Sequence, residues 1–142
     1  MKKALIDANV VLRYLTKDPP KMAAADLRTL DDAQNGKISL LLTPLTVAEV
    51  VWVLESFYGH PKAKIAETMG QFLFCDGLEV EDLDLIIEAL ALYQGKNLDF
   101  ADAFLAAIAL RRGPQAIYSF DQHFNRIPGI TRLEPGKDYW AT

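Results

Sequence analysis

The sequence has one cysteine, Cys75, and two histidines, His60 and His123. A single cysteine excludes an intrachain disulfide and the stapled frameworks of small secreted domains. A lone cysteine with two distant histidines makes a weak zinc site and a weak Cys–His catalytic pair. Cys75 is therefore expected to be a small buried hydrophobe. Also missing are a glycine-rich phosphate loop with its lysine and a Ser-His-Asp set. Met1-Lys2-Lys3-Ala4-Leu5-Ile6 imitates the charged start of a signal peptide, but Asp7, Asn9 and Arg13 interrupt the apolar run of about 7–15 residues that a signal requires. No stretch approaches the roughly 18 apolar residues of a membrane span. The expectation is a cytoplasmic protein with no membrane contact. A basic excess is absent too: the net charge is −4, whereas nucleic-acid binders are usually basic.

What is present is the composition of an ordinary globule, 142 residues with 51% hydrophobic and 24% charged. A chain of this size buries about 70% of its unfolded surface. It contains no internal repeat, low-complexity segment or linker, so residues 1–142 are read as a single domain.

Short apolar runs alternate with helical patterns. Lys3 to Asp7 reads as a buried strand, followed by a short helix over Val10 to Thr16. Pro19-Pro20 starts a helix whose inner face is Ala23, Leu27, Leu30 and Ala33, and Asn35-Gly36 ends it. Ile38 to Leu42 is a strand buried on both faces. Thr43-Pro44 caps a helix running to about Tyr58. Ile65, Met69, Phe72 and Leu73 mark the next helix, and Leu78 to Val80 a very short third strand. Leu83 to Gly95 and Phe100 to Arg112 are helices, Ala116 to Phe120 is a fourth strand, and Thr131 to Leu133 a fifth. Tyr139 and Trp140 are expected to pack down. The pattern predicts an α/β fold, a three-layer α/β/α sandwich around a central parallel sheet of four to five short strands. In such folds ligands bind at the carboxyl ends of strands.

Four acids stand out against that frame. Asp7 ends the first strand, and Asp121 ends the fourth after Ile117-Tyr118-Ser119-Phe120. Glu49 lies in Thr46-Val47-Ala48-Glu49-Val50-Val51-Trp52, with Leu45, Trp52 and Val53 on its side of the helix, so it is expected to lose hydration. Asp102 lies in Asp99-Phe100-Ala101-Asp102-Ala103, again among apolar residues. Each has a plainer explanation. Asp7 and Asp121 suit helix caps, Glu49 the edge of an apolar helix or a pair with an arginine, and Asp99 with Asp102 a capping box. As a set they can converge at one sheet edge. Like charges ~4 Å apart repel by about 4 kcal/mol at an effective dielectric of 20, so four need a cation. Oxygen-only ligands select magnesium or manganese, one ion or two. A bound ion of this kind acidifies water, orients it in line and steadies charge on a phosphoryl group, which is the chemistry of phosphodiester hydrolysis. Fifteen lysines and arginines face nineteen aspartates and glutamates. Setting four carboxylates against a cation leaves the rest in balance.

Ile6-Asp7-Ala8-Asn9-Val10-Val11-Leu12-Arg13-Tyr14-Leu15 resembles the opening of PIN-domain nucleases, in particular toxins of the VapC type. Thr43-Pro44-Leu45-Thr46-Val47-Ala48-Glu49-Val50 resembles their second motif. Asp99-Phe100-Ala101-Asp102-Ala103 and Ser119-Phe120-Asp121-Gln122-His123-Phe124 resemble the third and fourth, in the family's order. The resemblance implies a PIN-like fold and magnesium- or manganese-dependent RNA cleavage leaving a 5′-phosphate and a 3′-hydroxyl. Asp7, Glu49, Asp102 and Asp121 match the acidic, metal-binding quartet. Asn9, Thr46 and Ser119 fall where the family has small polar helpers, and Asp99 is an extra acid better suited to capping. The resemblance also implies a homodimer inhibited by a small antitoxin. Phe120 departs from the smaller or polar residues common at its position.

Candidate phosphate contacts are Arg13, Lys17, Lys96, Arg111, Arg112 and Arg126. Tyr14, Phe57, Tyr58 and Tyr93 are candidates for stacking on RNA bases. Leu15, Leu27, Trp52 and Phe57 are candidates for the antitoxin surface. The rival readings are a noncatalytic scaffold of the same fold, a receiver-like domain, and an aspartate-nucleophile phosphatase. A receiver would need a second acid beside Asp7. The phosphatase loosely fits Asp7-Ala8-Asn9-Val10 but has Asn9 where a general acid belongs.

Overall fold

The computed structural model describes residues 2–140. The chain divides into two compact units, one up to Leu83 and one from Asp84 onward. The first unit contains β1 (Lys3–Leu5), α1 (Ala8–Thr16), α2 (Pro20–Gln34), β2 (Ser39–Leu42), α3 (Pro44–Ser56), α4 (Lys62–Phe72) and β3 (Leu78–Val80). Its three strands are parallel in the order β1-β2-β3, with Ala4 opposite Leu40 and Leu40 opposite Leu78. Parallel neighbours need long crossovers, and each crossover here is a pair of helices. The core is aliphatic: Val11, Leu30, Leu42, Val47, Val50, Val51, Leu54, Ile65 and Met69 are almost wholly buried.

Local chemistry sets the boundaries. Pro20 and Pro44 occupy first helical positions, where no amide hydrogen bond is lost. The Thr43 hydroxyl accepts from the Thr46 amide at 3.3 Å and so caps α3. Gly77 has a φ of +86° and lies so close to Ala33 that a Cβ would collide with that residue's carbonyl. Its own carbonyl accepts from the Leu40 amide at 2.9 Å, which ties β2 to the start of β3.

The buried stripe of α2 differs from the expectation at one position. Ala23, Leu30 and Ala33 are buried, but Leu27 is 48% exposed and Asp26 is buried instead. The reason is an ion pair: Arg13 Nε donates to Asp26 Oδ2 at 2.7 Å, and its Nη2 reaches Oδ1 at 3.4 Å. Arg13 from α1 thus draws the carboxylate into the α1–α2 contact, and Leu27 turns outward.

The second unit is built on α5 (Leu83–Gly95), whose first residue closes the preceding unit, and on α6 (Phe100–Arg111), β4 (Ala116–Tyr118), a short 3-10 helix (Gln122–Arg126) and β5 (Thr131–Leu133). β4 and β5 are parallel, with Ile117 opposite Arg132. Leu85, Ile86, Ala89, Tyr93, Leu98, Ala103, Ala106 and Ala107 form the interior. Ala-rich α6 combines high helix propensity with a narrow profile that permits close packing. Tyr93 meets Phe100 edge-on at 6.3 Å, so its ring belongs to the core and is unavailable for stacking on RNA.

Among the described residues the fold is α/β, with short parallel strands and six α-helices, as the alternating pattern predicts. The strand ladders form two hydrogen-bonded groups, of three and of two. β4 stops at Tyr118, short of the expected Phe120, because Ser119 and Asp121 turn the chain. Tyr139 does not pack down and is largely open to solvent, and Trp140 is only about half covered. Among the described residues no helix is long and apolar enough to cross a membrane.

Candidate functional site

Asp7 is the N-cap of α1, with φ −81° and ψ 151°, yet its side chain makes no capping hydrogen bond. Its carboxylate is exposed and remains available to a ligand. Its backbone carbonyl takes the structural role, accepting from the Val10 and Val11 amides at 3.1 and 3.2 Å. The hydrogen bond to Asp26 raises the affinity of Arg13 for its proton, burial opposes it, and the charges of Asp26 and, least, Asp7 add to it. Asn9 lies exposed in the first turn of α1.

Glu49 contradicts the burial expected of it. The covered face of α3 is Val47, Val50, Val51 and Leu54, and Glu49 lies on the open side with Leu45, 82% exposed, and Trp52, 66% exposed. Of the residues read as desolvating Glu49, Leu45 and Trp52 are themselves in water and only Val53 is half-buried, so no dehydration penalty requires a cation at this exposed position. Thr46 serves its own helix: the Thr43 hydroxyl donates to the Thr46 hydroxyl at 3.1 Å and receives the Thr46 amide.

The second unit groups its acids more tightly. Asp99 is the N-cap of α6 and again makes no side-chain capping bond, so the capping role expected of it is not taken up. Asp102 is half-buried in the first turn. Burial pushes its carboxyl above the usual carboxylate range, the charges of Asp99 and Asp121 push it further, and His123 pulls it back. Asp121 does cap, as expected: its Oδ1 accepts from the His123 amide at 2.9 Å and lies 3.2 Å from His123 Nδ1. The Ser119 hydroxyl accepts the Asp121 amide at 2.9 Å. Ser119 therefore shapes the turn that presents Asp121.

Among the described residues, no three His, Cys, Asp or Glu side chains stand together closely enough to enclose a metal ion. The donor chemistry nonetheless fits a hard divalent cation. Asp102 is partly desolvated, loaded with like charge from Asp99 and Asp121, and moderated only by a histidine. A cation would reverse the sign of that field.

The candidate phosphate contacts are largely committed elsewhere. Arg13 holds Asp26. Arg111 Nε lies 3.8 Å from Glu88, and Arg112 Nη2 lies 3.0 Å from Asp84. Arg126 donates to the Lys96 carbonyl at 3.2 Å. Phe57 stacks edge-on against Tyr58 at 5.0 Å, and Tyr14 lies 5.7 Å from Phe72. Cys75 is half-buried rather than buried. Burial pushes its thiol up and Asp76 adds to the effect, the reverse of an activated nucleophile.

Two features go beyond the sequence reading, the buried Asp26 and the exposure of Phe120 beside Asp121. The partner of Asp26 lies thirteen residues away. The only signal at Phe120 was its departure from the small or polar residues expected there.

No curated protein matches the chain significantly. A comparison with protein families identifies a PIN domain over residues 4–130, a span that includes Asp7, Glu49, Asp99, Asp102 and Asp121. The chain belongs to the PIN-domain family, a family of nucleases that typically depend on divalent metals.

Proposed function

We propose that this chain is a magnesium- or manganese-dependent endoribonuclease, the toxin of a toxin–antitoxin pair, with Asp7, Glu49, Asp102 and Asp121 as its acidic set. The observation that carries the reading is Asp102, a half-buried carboxyl pressed by Asp99 and Asp121 in a chain that belongs to a nuclease family. Asp7 offers both carboxylate oxygens, since its cap is made by backbone alone. Glu49 is free in solvent on α3, and Asp121 keeps Oδ2 clear of the His123 pairing. Ser119 and Thr46 hold the backbone from which Asp121 and Glu49 project. When bound, the ion neutralises charge on the phosphodiester and favours ionisation of the attacking water. Hydrolysis then leaves a 5′-phosphate and a 3′-hydroxyl.

A groove of about 570 Å³ beside α1 and α2, lined by Tyr14, Leu15, Pro20, Ala24 and Leu27 among others, supports a partner surface in the first unit. It suits the apolar side of an antitoxin segment, and a homodimer in the cytoplasm completes the reading. The test is cleavage of single-stranded RNA by purified protein freed of any partner. Magnesium or manganese should support it, and Asp7→Asn or Asp102→Asn should abolish it while the circular dichroism spectrum is kept. Full activity in excess EDTA would refute the metal dependence. Unimpaired growth of cells producing soluble protein without a partner would refute the toxin role alone.

A further inference from the structure

Phe120 is 71% exposed and directly precedes Asp121. A single exposed phenylalanine is unremarkable, but this one is held on a pinned backbone. The Ser119 amide donates to the Leu133 carbonyl at 2.9 Å, and the Ser119 carbonyl accepts from Arg132 at 2.9 Å. The Asp121 amide donates to the Ser119 hydroxyl, and the His123 amide to Asp121 Oδ1, both at 2.9 Å. Buried Phe124 anchors the following turn. Tyr118, two residues earlier, is occupied by the tail: its hydroxyl donates to the Asp138 carbonyl and accepts from the Trp140 amide, each at 3.0 Å. No aromatic ring stacks on Phe120 among the described residues.

The electrostatics around it are acidic. Asp99, Asp102 and Asp121 share one field, and Arg132, the cation on the Ser119 carbonyl, is held there and by Asn125. Substrate affinity in such surroundings gains from a contact that does not rely on phosphate–cation attraction. Stacking of an unpaired base on an aromatic ring is such a contact, and every base has a π-face. A ring on a pre-ordered backbone also loses little freedom when it binds.

We propose that Phe120 is the platform on which an unpaired nucleobase of the RNA stacks beside Asp121, so that it selects single-stranded over paired substrate. The inference rests on the nuclease reading above and deepens it. The probe is a single-stranded RNA carrying 2-aminopurine, titrated in magnesium with the full chain in an Asp102→Asn background that leaves the RNA uncut. Quenching of the fluorophore is expected on binding, and absent with the paired form of the same RNA. Adding Phe120→Ala should weaken binding roughly 5- to 150-fold and remove the quenching, the range that loss of one stacked base gives. Phe120→Trp should keep both, and Phe120→Leu should lose the quenching although it stays apolar. In the cleaving protein Phe120→Ala should raise KM with little change in kcat.

Equal quenching by Phe120→Ala, full function in Phe120→Leu, or no quenching by the parent would overturn the proposal. So would dissociation of an oligomer in Phe120→Ala with quenching unchanged, which would make the ring a protein contact. Quenching without any cleavage by the native chain would sink the nuclease reading and leave the platform standing. Cleavage indifferent to Phe120 would do the opposite.

Discussion

Replacing Gly77 by alanine tests the packing that positions α3. Gly77 has a φ of +86°, where a Cβ costs about 1–2 kcal/mol. The added carbon would also collide with the Ala33 carbonyl and lie 2.7 Å from the Ala33 side chain. Backbone cannot swing aside as a side chain can, and overpacking of this kind typically costs a further ~1–3 kcal/mol. Against that, alanine restricts the unfolded chain and returns about 0.4–1 kcal/mol. The net loss is about 3 kcal/mol, or about 9 °C in Tm at roughly 3 °C per kcal/mol for a chain of this size. Gly36→Ala is the control. Its φ is +78°, but its Cβ would meet nothing within 4 Å, so its loss should stay within about 1 kcal/mol. Thermal melts by circular dichroism of both variants provide the assay. The damage in Gly77→Ala should extend to function, because the Gly77 carbonyl holds the Leu40 amide and β2 runs directly into the Thr43 cap of the helix carrying Glu49. Equal melting temperatures for the two variants would refute the close approach of Gly77 to Ala33.

Other outcomes follow from the charged and sulfur groups. The raised affinity of Asp102 for its proton means that the folded chain holds a proton the unfolded chain releases as pH rises above about 4. Its stabilising contribution is complete below that point and is lost as pH climbs through the raised value. In EDTA, Asp102→Asn should therefore melt higher than the native chain at pH 7, with the gap closing near pH 4; a lower melting point at pH 7 would contradict this. Arg13→Ala should lower Tm more than Arg111→Ala, because it strands the buried carboxylate of Asp26, and Asp26→Asn should restore part of the loss in the double variant. Equal effects of the two arginine variants would free Arg13 for RNA. Cys75 should react with a disulfide reagent at pH 8 more slowly than glutathione does, since burial and Asp76 keep it protonated.

The sequence made some features legible because local chemistry decides them. Pro20 and Pro44 begin their helices where proline requires, and even the three-residue β3 was visible between its turn and the following helix. Asp102 was legible because apolar neighbours on a short helix leave few places for a carboxylate to stay wet. Glu49 was misread for the opposite reason. α3 is apolar nearly all round, so its pattern contains no unique covered face, and only tertiary packing decides that Leu45 and Trp52 stay in water. Asp26 was invisible because its burial depends on Arg13 from another helix. Asp7 and Asp99 look like caps and occupy cap positions. Whether the side chain closes on the helix is a choice of rotamer, which residue type alone does not make.

The proposed function rests on carboxylates distant in sequence binding divalent metal, one ion or two. Calorimetric titration of the full chain with manganese tests it most directly. The account predicts saturable binding that is lost in Asp7→Asn and in Asp102→Asn, with both variants still folded. No binding heat in the native chain, or undiminished binding in both variants, would contradict it.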